Sequence, residues 1–254
     1  MGQVILVTSG KGGSGKSTLT VNCGVALAES GMKVLLIDAD VGLRSLDLML
    51  GVSDVVVYDL KDVLSGRCEP VKAIMNTPID NLQILPAPQS AITEDIDGNE
   101  MKRLCKGLAH YYDFVIIDSP AGIGQSAITA AMGCDSAIVV ATADPVCIRD
   151  ADKIAVMLTK MGITNIRLVL NRIIPALIRK RFVPYLDAAI DGAAIQLIGV
   201  VPEDEQVTIA SFSASILTSK LNNGNNNNSH KGAAQAFRNI ANRLEGRDVP
   251  LMKL

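Results

Sequence analysis

The chain contains no tryptophan, and phenylalanine and tyrosine are scarce, so that aromatic residues make up only 3% of its 254 residues. A core of normal size must therefore be built from Val, Ile, Leu, Ala and Met. Hydrophobic residues account for 48% and charged residues for 20%, a balance typical of folded globular proteins. A chain of this length can bury a large core, in one α/β domain or in two.

The cysteines are few and show no metal-binding or redox spacing. No two of the five form a C-x-x-C pair; they are Cys23, Cys68, Cys105, Cys134 and Cys147. Most lie among apolar residues, so we interpret them as small buried side chains in a reducing cytosol. Metal or redox chemistry is the less favoured alternative.

A basic charge excess and long apolar runs are missing too. Lys and Arg number 24 against 26 Asp and Glu, a formal net charge of −2, which disfavours nucleic acid as a partner. No run approaches the ~18 apolar residues of a membrane span, and the first residues lack the pattern of a secretory signal. We therefore expect a protein that works in the cytoplasm.

A glycine-rich loop near the start is the strongest motif of the chain. Residues 10–17 read Gly-Lys-Gly-Gly-Ser-Gly-Lys-Ser and fit G-x-x-x-x-G-K-[ST] between an apolar run and a predicted helix. Its glycines allow the backbone to approach a polyphosphate, with N–H groups that form an anion cradle. We predict that Lys16 reaches the β and γ phosphates of ATP and that Ser17 binds Mg²⁺. The predicted nucleotide-binding residues of this loop are Gly10, Lys11, Gly12, Gly13, Ser14, Gly15, Lys16, Ser17 and Thr18.

A second lysine in this loop, Lys11, is not required by the general motif. Its side chain cannot easily fold back onto phosphates that Lys16 already serves. We therefore interpret Lys11 as a residue that points at another molecule.

Short apolar runs alternate with segments of helical periodicity along most of the chain, a pattern typical of parallel strands buried on both faces. Strands are predicted at 4–7, 34–37, 82–85, 114–117, 137–141, 167–170 and 197–201. Helices are predicted at 17–30, 98–110, 124–133, 146–161 and 231–245. The fold class is α/β, a doubly wound, mostly parallel sheet with helices on both faces, which binds ligands beyond the carboxyl ends of its strands.

Acidic residues follow two predicted strands. Asp38 and Asp40 follow the strand at 34–37, and Asp118 follows the strand at 114–117. A lone Asp at such a position is usually a helix or turn cap. In a chain with a phosphate-binding loop, however, carboxylates at strand ends can hold Mg²⁺ through its waters or orient a hydrolytic water.

Two later strand ends could contact the adenine base. Asn171 and Arg172 end the strand at 167–170, and Pro202, Glu203 and Asp204 end the strand at 197–201. An Asn amide offers both a donor and an acceptor, and a Pro turn can wall off a base. Both segments could also be plain loops.

The helix at 146–161 is amphipathic, and its charged residues include Arg149, Asp150 and Asp152. They form either a solvated face or a partner-binding face. We expect a single domain over residues 1–254, with a mobile Asn-rich connection at about 222–230 and a short tail at 246–254.

These motifs together resemble the MinD/ParA family of deviant Walker A P-loop ATPases, whose loop pattern K-G-G-x-G-K-[ST] includes the extra lysine. Segments that resemble the septum-placing MinD branch lie at 37–48, 57–59, 84–87, 118–122, 149–150 and 199–204. The resemblance spans about residues 2–245.

The resemblance implies a slow, partner-stimulated ATPase that hydrolyses ATP to ADP and phosphate and acts as an ATP-dependent dimerisation switch in septum placement. Two copies would enclose two ATP molecules, with Lys11 contacting the phosphates of the opposite subunit. The implied catalytic residues are Lys11, Lys16 and Asp40, and the implied Mg²⁺ residues are Ser17, Asp38 and Asp118. The implied partners are a division inhibitor and an ATPase-stimulating protein, which would share the face of Arg149, Asp150 and Asp152.

Three features depart from the family pattern. Ser14 replaces the usual Val, and Ser45 stands where the family typically has Asn. The basic amphipathic helix that anchors MinD proteins to membranes has no good match in the tail. A membrane surface is therefore a partner for which the sequence offers no clear anchor.

Other P-loop proteins remain as alternatives. A ParA-type partitioning or flagellar-placement ATPase would share the active site. An iron–sulfur carrier would need cysteines at a dimer axis, and none follows Asp118 within the next dozen residues. A biosynthetic P-loop enzyme would need a small-substrate pocket, which the sequence does not reveal.

Overall fold

The computed structural model describes residues 1–41, 44–88, 97–176, 195–212, 215–219 and 232–252. The predicted Asn-rich connection at about 222–230 lies outside these ranges, as do the last two residues of the predicted tail. The assignment of the whole chain to one domain stays a prediction.

The described strands form one sheet of eight strands in the order β3-β4-β2-β5-β1-β6-β7-β8, parallel except where β3 pairs with β4. The strands are β1 (Gln3–Thr8), β2 (Val34–Asp38), β3 (Met75–Asn76), β4 (Leu82–Leu85), β5 (Phe114–Asp118), β6 (Ser136–Ala141), β7 (Asn165–Ile173) and β8 (Gln196–Pro202). The predicted mostly parallel α/β sheet is confirmed.

Helices cover both faces of this sheet. They are α1 (Lys16–Glu29), α2 (Ser45–Met49), α3 (Leu60–Leu64), α4 (Pro70–Ala73), α5 (Gly98–Leu108), α6 (Gln125–Ala131), α7 (Pro145–Lys160), α8 (Glu205–Phe212) and α9 (Gly232–Leu244), with a 3-10 turn at Ser53–Val55. One apolar core packs α1 and α9 on one face, and a second packs α5, α6 and α7 on the other. Both cores are mostly aliphatic, and Phe237 is the largest side chain that is fully buried.

The structure corrects the predicted end of one strand. The apolar pattern placed Asn171 and Arg172 after a strand at 167–170, but β7 continues to Ile173. The pairing with β8 shifts register between Leu170 and Ile173, and Arg172 has a φ of 57°. The two residues therefore occupy an irregularity inside the strand, which a hydrophobic pattern cannot distinguish from a strand end.

Several short elements were not predicted. They are β3, α2, α3, α4 and α8, and all but α8 are two to five residues long. Elements of that length do not complete the periodic pattern that sequence reasoning relies on.

The sheet places two acidic residues side by side. In the pairing of β2 with β5, Asp38 lies opposite Asp118, and both residues end their strands. The carboxyl end of β1, which leads into the glycine-rich loop, lies next to β5. Parallel pairing therefore gathers the predicted site at one edge of the sheet.

The end of the chain folds back onto the sheet through one arginine. Arg243 of α9 donates hydrogen bonds to the carbonyl oxygens of Val249 (2.9 Å), Pro250 (2.8 Å) and Ile198 at the start of β8 (2.8 Å). Met252 packs against the core on the α9 side. The part of the tail that the structure describes is thus attached to the body of the protein.

We expect Arg243→Ala to release residues 249–252 and to lower the free energy of unfolding by about 1–3 kcal/mol, because three carbonyl oxygens lose a charged donor. Urea denaturation measures the loss, and hydrogen exchange of the tail amides measures the release. Arg67→Ala is the control, since the Arg67 side chain is 63% exposed and pairs with Asp62 at the surface. Equal losses in the two variants would contradict the role of Arg243.

Candidate nucleotide site

The glycine-rich loop connects β1 to α1. Gly13 and Gly15 have φ angles of 78° and 94°, which other residues rarely adopt. A Cβ built at Gly12 or Gly13 would meet nothing within 4 Å. The open space beside these two residues is where a polyphosphate could lie against the backbone.

The loop is held from two other sides. At Gly10, an added Cβ would lie 2.4 Å from the Cβ of Asp150 on α7. At the other end, Asn171 Nδ2 donates a hydrogen bond of 2.7 Å to the carbonyl oxygen of Ser14 and would lie 2.2 Å from a Cβ at Gly15. These glycines are therefore required by neighbouring elements as well as by a ligand.

The two lysines of the loop differ in their surroundings. Lys16 is 7% exposed, at the start of α1, whereas Lys11 is exposed on the same loop. Thr18, the next predicted residue of this group, is half-buried on the first turn of α1. Lys16 is buried and can serve a phosphate inside the site, whereas Lys11 is exposed, and its charge helps to lower the pKa of Asp144 at the start of α7.

The predicted metal residues meet at the edge of β2 and β5. Ser17 Oγ donates to Asp118 Oδ2 at 2.6 Å, and Thr20 Oγ1 donates to Asp118 Oδ1 at 3.4 Å. Asp38 Oδ1 and Oδ2 accept from the backbone N–H groups of Asp40 (3.0 Å) and Leu46 (3.2 Å). Asp38 and Asp118 are 1% and 0% exposed.

Burial dominates the titration of these carboxyl groups. Burial, followed by repulsion from Asp118, raises the pKa of Asp38 from 3.8 to about 7. Burial also raises the pKa of Asp118 to about 6, although hydrogen bonds from Ser17 and the charge of Lys16 oppose the shift. Negative charge at this edge is therefore only partly compensated by the chain's own groups.

These donors fit Mg²⁺ bound together with phosphates. Among the described residues, no cluster of three or more His, Cys, Asp or Glu side chains could hold a metal ion. Mg²⁺ usually keeps several waters and binds through one or two carboxylates and substrate phosphates. The hydroxyl of Ser17 and the carboxylates of Asp38 and Asp118 form a donor set of that kind.

One polar atom of the loop has no hydrogen-bond partner. Ser14 Oγ is buried and makes no hydrogen bond within the described part of the chain. It belongs to the loop whose backbone would contact a phosphate, so the loop is incompletely satisfied as it stands.

Asp40 is close to one carboxylate and to the lysine, since its N–H donates to Asp38 Oδ1 at 3.0 Å and the charge of Lys16 acts on its carboxyl group. It is half-buried, and burial raises its pKa, while the charge of Lys16 acts in the opposite direction. A carboxylate in this position can orient a water molecule toward a phosphate that Lys16 binds.

The predicted base contacts make hydrogen bonds with one another and with the loop. Asn171 Oδ1 accepts from the backbone N–H of Arg172 at 2.9 Å, and the Arg172 guanidinium forms a two-point ion pair with Glu203 at 3.0 and 3.2 Å. Asp204 accepts from the N–H groups of Gln206 (2.9 Å) and Ala233 (3.0 Å), near the starts of α8 and α9. Pro202 is buried at the end of β8. Their adenine-binding role stays a prediction.

A cavity of about 310 Å³ opens beside α1. It is lined by Thr18 and otherwise by residues that the sequence did not single out, among them Met49 of α2 and Val207 and Ala210 of α8. None of the five predicted base-contact residues lines this cavity. The spacing of apolar residues did not predict this cavity, because α2 and α8, which line it, are too short to give a clear helical pattern.

The predicted partner face lies on α7. Arg149 is exposed, and Asp150 and Asp152 are half-buried. Asp150 also pairs with Lys153 at 3.2 Å, in addition to its contact with Gly10. The helix that carries this face therefore touches the glycine-rich loop.

Other residues at the site escaped the sequence analysis. Thr20 hydrogen-bonds Asp118 from α1, and Arg44, whose φ of 42° is left-handed, pairs with the buried Asp47. A Thr three residues after Ser17 was a usable signal, because it lies on the same face of the helix. Arg44 and Asp47 have the same three-residue spacing.

The strand–loop–helix geometry, the buried lysine and the adjacent carboxylates define a P-loop nucleoside triphosphatase. Comparison with known proteins agrees. A family model described as "ParA: NUBPL iron-transfer P-loop NTPase" matches residues 1–176. The septum site-determining protein MinD of Thermotoga maritima is 39% identical over 254 residues, which are 99% of this chain and 91% of the relative.

Solved structures are also similar over almost the whole chain. MinD in the MinC:MinD complex of Aquifex aeolicus has a TM-score of 0.89 at 34% identity and covers 99% of both chains. MinD of Pyrococcus horikoshii, solved with Mg-ADP, has a TM-score of 0.81 at 33% identity and covers 96% of both.

The chain belongs to the MinD/ParA family of P-loop ATPases. Membership makes it an ATPase, and its MinD relatives support a role in placing the division site. Its five cysteines are free, and burial raises the pKa of Cys105 and Cys134 to about 12.

Gly10→Ala should destabilise the nucleotide-free protein by about 1–3 kcal/mol, because the new methyl group meets Asp150 on α7. Gly12→Ala is the control: it adds the same group to the same loop in open space, and we expect little change. Denaturant titration without nucleotide measures both, and an equal effect of the two substitutions would show that α7 does not constrain the loop.

Stability without metal should fall as pH rises. Asp38 has a higher pKa in the folded state, about 7 against an ordinary value of 3.8, so the folded state holds more protons, and stability is lost between those values. In EDTA, Asp38→Asn should flatten this dependence, and Asp54→Asn, at an exposed position, should keep it. Urea midpoints from pH 4 to pH 8, taken as roughly the range that the raised pKa affects, test this; parallel curves would contradict it.

Proposed function

We propose that the chain is an ATP-dependent dimerisation switch of the MinD type, in which bound ATP favours a homodimer and hydrolysis returns it to monomers. The observation that carries the proposal is the pair of lysines on one loop, with Lys16 buried at 7% exposure and Lys11 exposed. A single bound nucleotide accounts for Lys16. A second copy of the chain accounts for Lys11.

The residues of the site divide the work of hydrolysis among them. Lys16 binds β and γ phosphate oxygens, and the N–H groups of the loop bind the remaining negative charge. Asp40 orients the attacking water. Because Asp40 is close to Lys16, which binds the γ phosphate, the oriented water is directed toward that phosphate. Lys11 of the partner copy completes the site, so hydrolysis depends on the dimer.

Mg²⁺ is part of the proposal. Ser17 and Asp118 would hold it, with Asp38 in support, and when bound it neutralises charge that develops on the phosphate oxygens. Ser17 and Asp118 are joined by a hydrogen bond of 2.6 Å, so the chain keeps its oxygen donors together. The buried carboxylates also give the site a need for positive charge.

The base would lie near the ends of β7 and β8. Asn171, Arg172, Pro202, Glu203 and Asp204 are placed there, and Asn171 also supports the loop through Ser14. The ion pair between Arg172 and Glu203 would form one wall of the base site.

A division inhibitor and an ATPase-stimulating protein are the proposed partners, and α7 is their proposed surface. The A. aeolicus protein, 34% identical, was solved in complex with MinC, which supports an inhibitor as a partner here. The contact of Asp150 with Gly10 offers a direct route by which a protein bound at Arg149 and Asp152 could change the loop.

The proposed place of action is the cytoplasm, including the inner face of the cell membrane. In the described ranges, no helix is long and apolar enough to cross a membrane. The tail residues that the structure describes are held by Arg243.

Analytical ultracentrifugation tests the dimer. Asp40→Ala should bind Mg-ATP without turning it over and should sediment as a dimer. Adding Lys11→Ala should return it to a monomer that still binds Mg-ATP, because only the contact to the second copy is lost. Adding Lys33→Ala instead, an exposed lysine at the opposite end of β2, should leave the dimer intact. A monomer of Asp40→Ala at saturating Mg-ATP would refute the switch.

A further inference from the structure

The hydroxyl of Ser45 connects α2 to the glycine-rich loop. Ser45 Oγ donates to Ser17 Oγ at 3.1 Å, and Ser17 Oγ donates to Asp118 Oδ2 at 2.6 Å. The three side chains come from α2, α1 and β5, so the chain of hydrogen bonds joins three separate elements. None of the roles proposed above involves Ser45.

The number of hydrogen bonds at Ser17 limits what else it can bind. A serine hydroxyl has one hydrogen and two lone pairs. Ser17 gives its hydrogen to Asp118 and uses one lone pair for Ser45, which leaves one lone pair for a cation. The two neighbours therefore fix the direction in which Ser17 can act as a metal ligand. Groups that orient a metal ligand in this way typically contribute about 10–100-fold in affinity.

The same short segment is attached to the second carboxylate. The N–H of Leu46 donates to Asp38 Oδ2 at 3.2 Å. Asp47, 1% exposed, pairs with Arg44 within the same segment. Residues 44–47 thus contact Asp38 directly, and they are linked to Asp118 through Ser17. A cation that binds between Asp38 and Asp118 would therefore affect both the link through Ser17 and the hydrogen bond from Leu46.

We propose that Ser45 is a positioning residue of the metal site, which acts through its hydrogen bond to Ser17. The inference rests on the proposed function, since it assumes that Mg-ATP binds at Ser17. With Mg²⁺ absent, the link from Ser45 to Ser17 orients no metal ligand. With Mg²⁺ present, the same link ties α2 to the nucleotide.

Binding of a non-hydrolysable ATP analogue, measured by calorimetry in Mg²⁺ and in EDTA, tests the role of the hydroxyl. Ser45→Ala should weaken binding about tenfold in Mg²⁺ and leave binding in EDTA unchanged. Ser45→Thr keeps the hydroxyl and should restore the affinity. Ser53→Ala is the matched control, because the Ser53 hydroxyl lies in the following turn and bonds its exposed neighbour Asp54.

Hydrogen exchange of the unmodified chain provides a readout that needs no variant. The amide of Leu46, which is bonded to Asp38, and its neighbours in α2 should exchange more slowly with the analogue and Mg²⁺ than with the analogue in EDTA. In Ser45→Ala, this additional protection should disappear while the protection of α1 remains.

The outcomes separate this inference from the function on which it rests. If the unmodified chain binds the Mg-analogue and Ser45→Ala matches it in both assays, the inference is wrong and the proposed function stands. An equal loss in Mg²⁺ and in EDTA assigns Ser45 a purely structural role and also overturns the inference. If the unmodified chain does not bind the Mg-analogue at all, both proposals fail.

Discussion

The rest of the site depends on two aspartates that strand pairing places side by side at the ends of adjacent strands. The pairing of β2 with β5 puts Asp38 opposite Asp118, and neither is reached by solvent. Burying two carboxylates costs free energy unless each is hydrogen-bonded and their charge is offset. The chain supplies the hydrogen bonds, from Ser17 and from the N–H of Leu46. To offset the charge of the two carboxylates, it supplies one buried lysine, Lys16. A site built in this way is stabilised by a cation and by the nucleotide that brings it, so occupancy and conformation are coupled from the start.

The glycine-rich loop transmits this coupling because it is in contact on several sides. Its backbone meets α7 at Gly10 and Asn171 at Gly15, and its last residue meets Asp118 and Ser45. A loop that rests against neighbouring elements cannot shift without moving them, since packed interiors leave little free volume. The proposed partner face on α7 and the segment 44–47 are therefore both in contact with this loop, although about a hundred residues separate them in sequence.

The sequence predicted those parts of the molecule whose signals are local. Apolar runs located the buried parallel strands, because strands covered on both faces need continuous hydrophobic residues. The loop motif and the strand-end aspartates followed from chemistry at fixed spacing. What could not be predicted depends on contacts between distant residues: Asn171 with Ser14 across 157 positions, Ser45 with Ser17, and Asp150 with Gly10. Asn171 was predicted to follow the end of a strand, whereas it lies at an irregularity inside β7. A strand irregularity and a strand end have the same hydrophobic pattern.

The charges of the site also argue for a second copy of the chain. A triphosphate adds several negative charges to those of Asp38, Asp40 and Asp118, and one Mg²⁺ with Lys16 does not offset them all. Within a low-dielectric site, uncompensated charge costs electrostatic free energy. Further negative charge develops on the phosphate oxygens in the transition state. Lys11 is exposed on the loop that ends at the buried Lys16. In the proposed dimer, this exposed lysine would supply positive charge to the site of an identical subunit, which has the same shortage by symmetry.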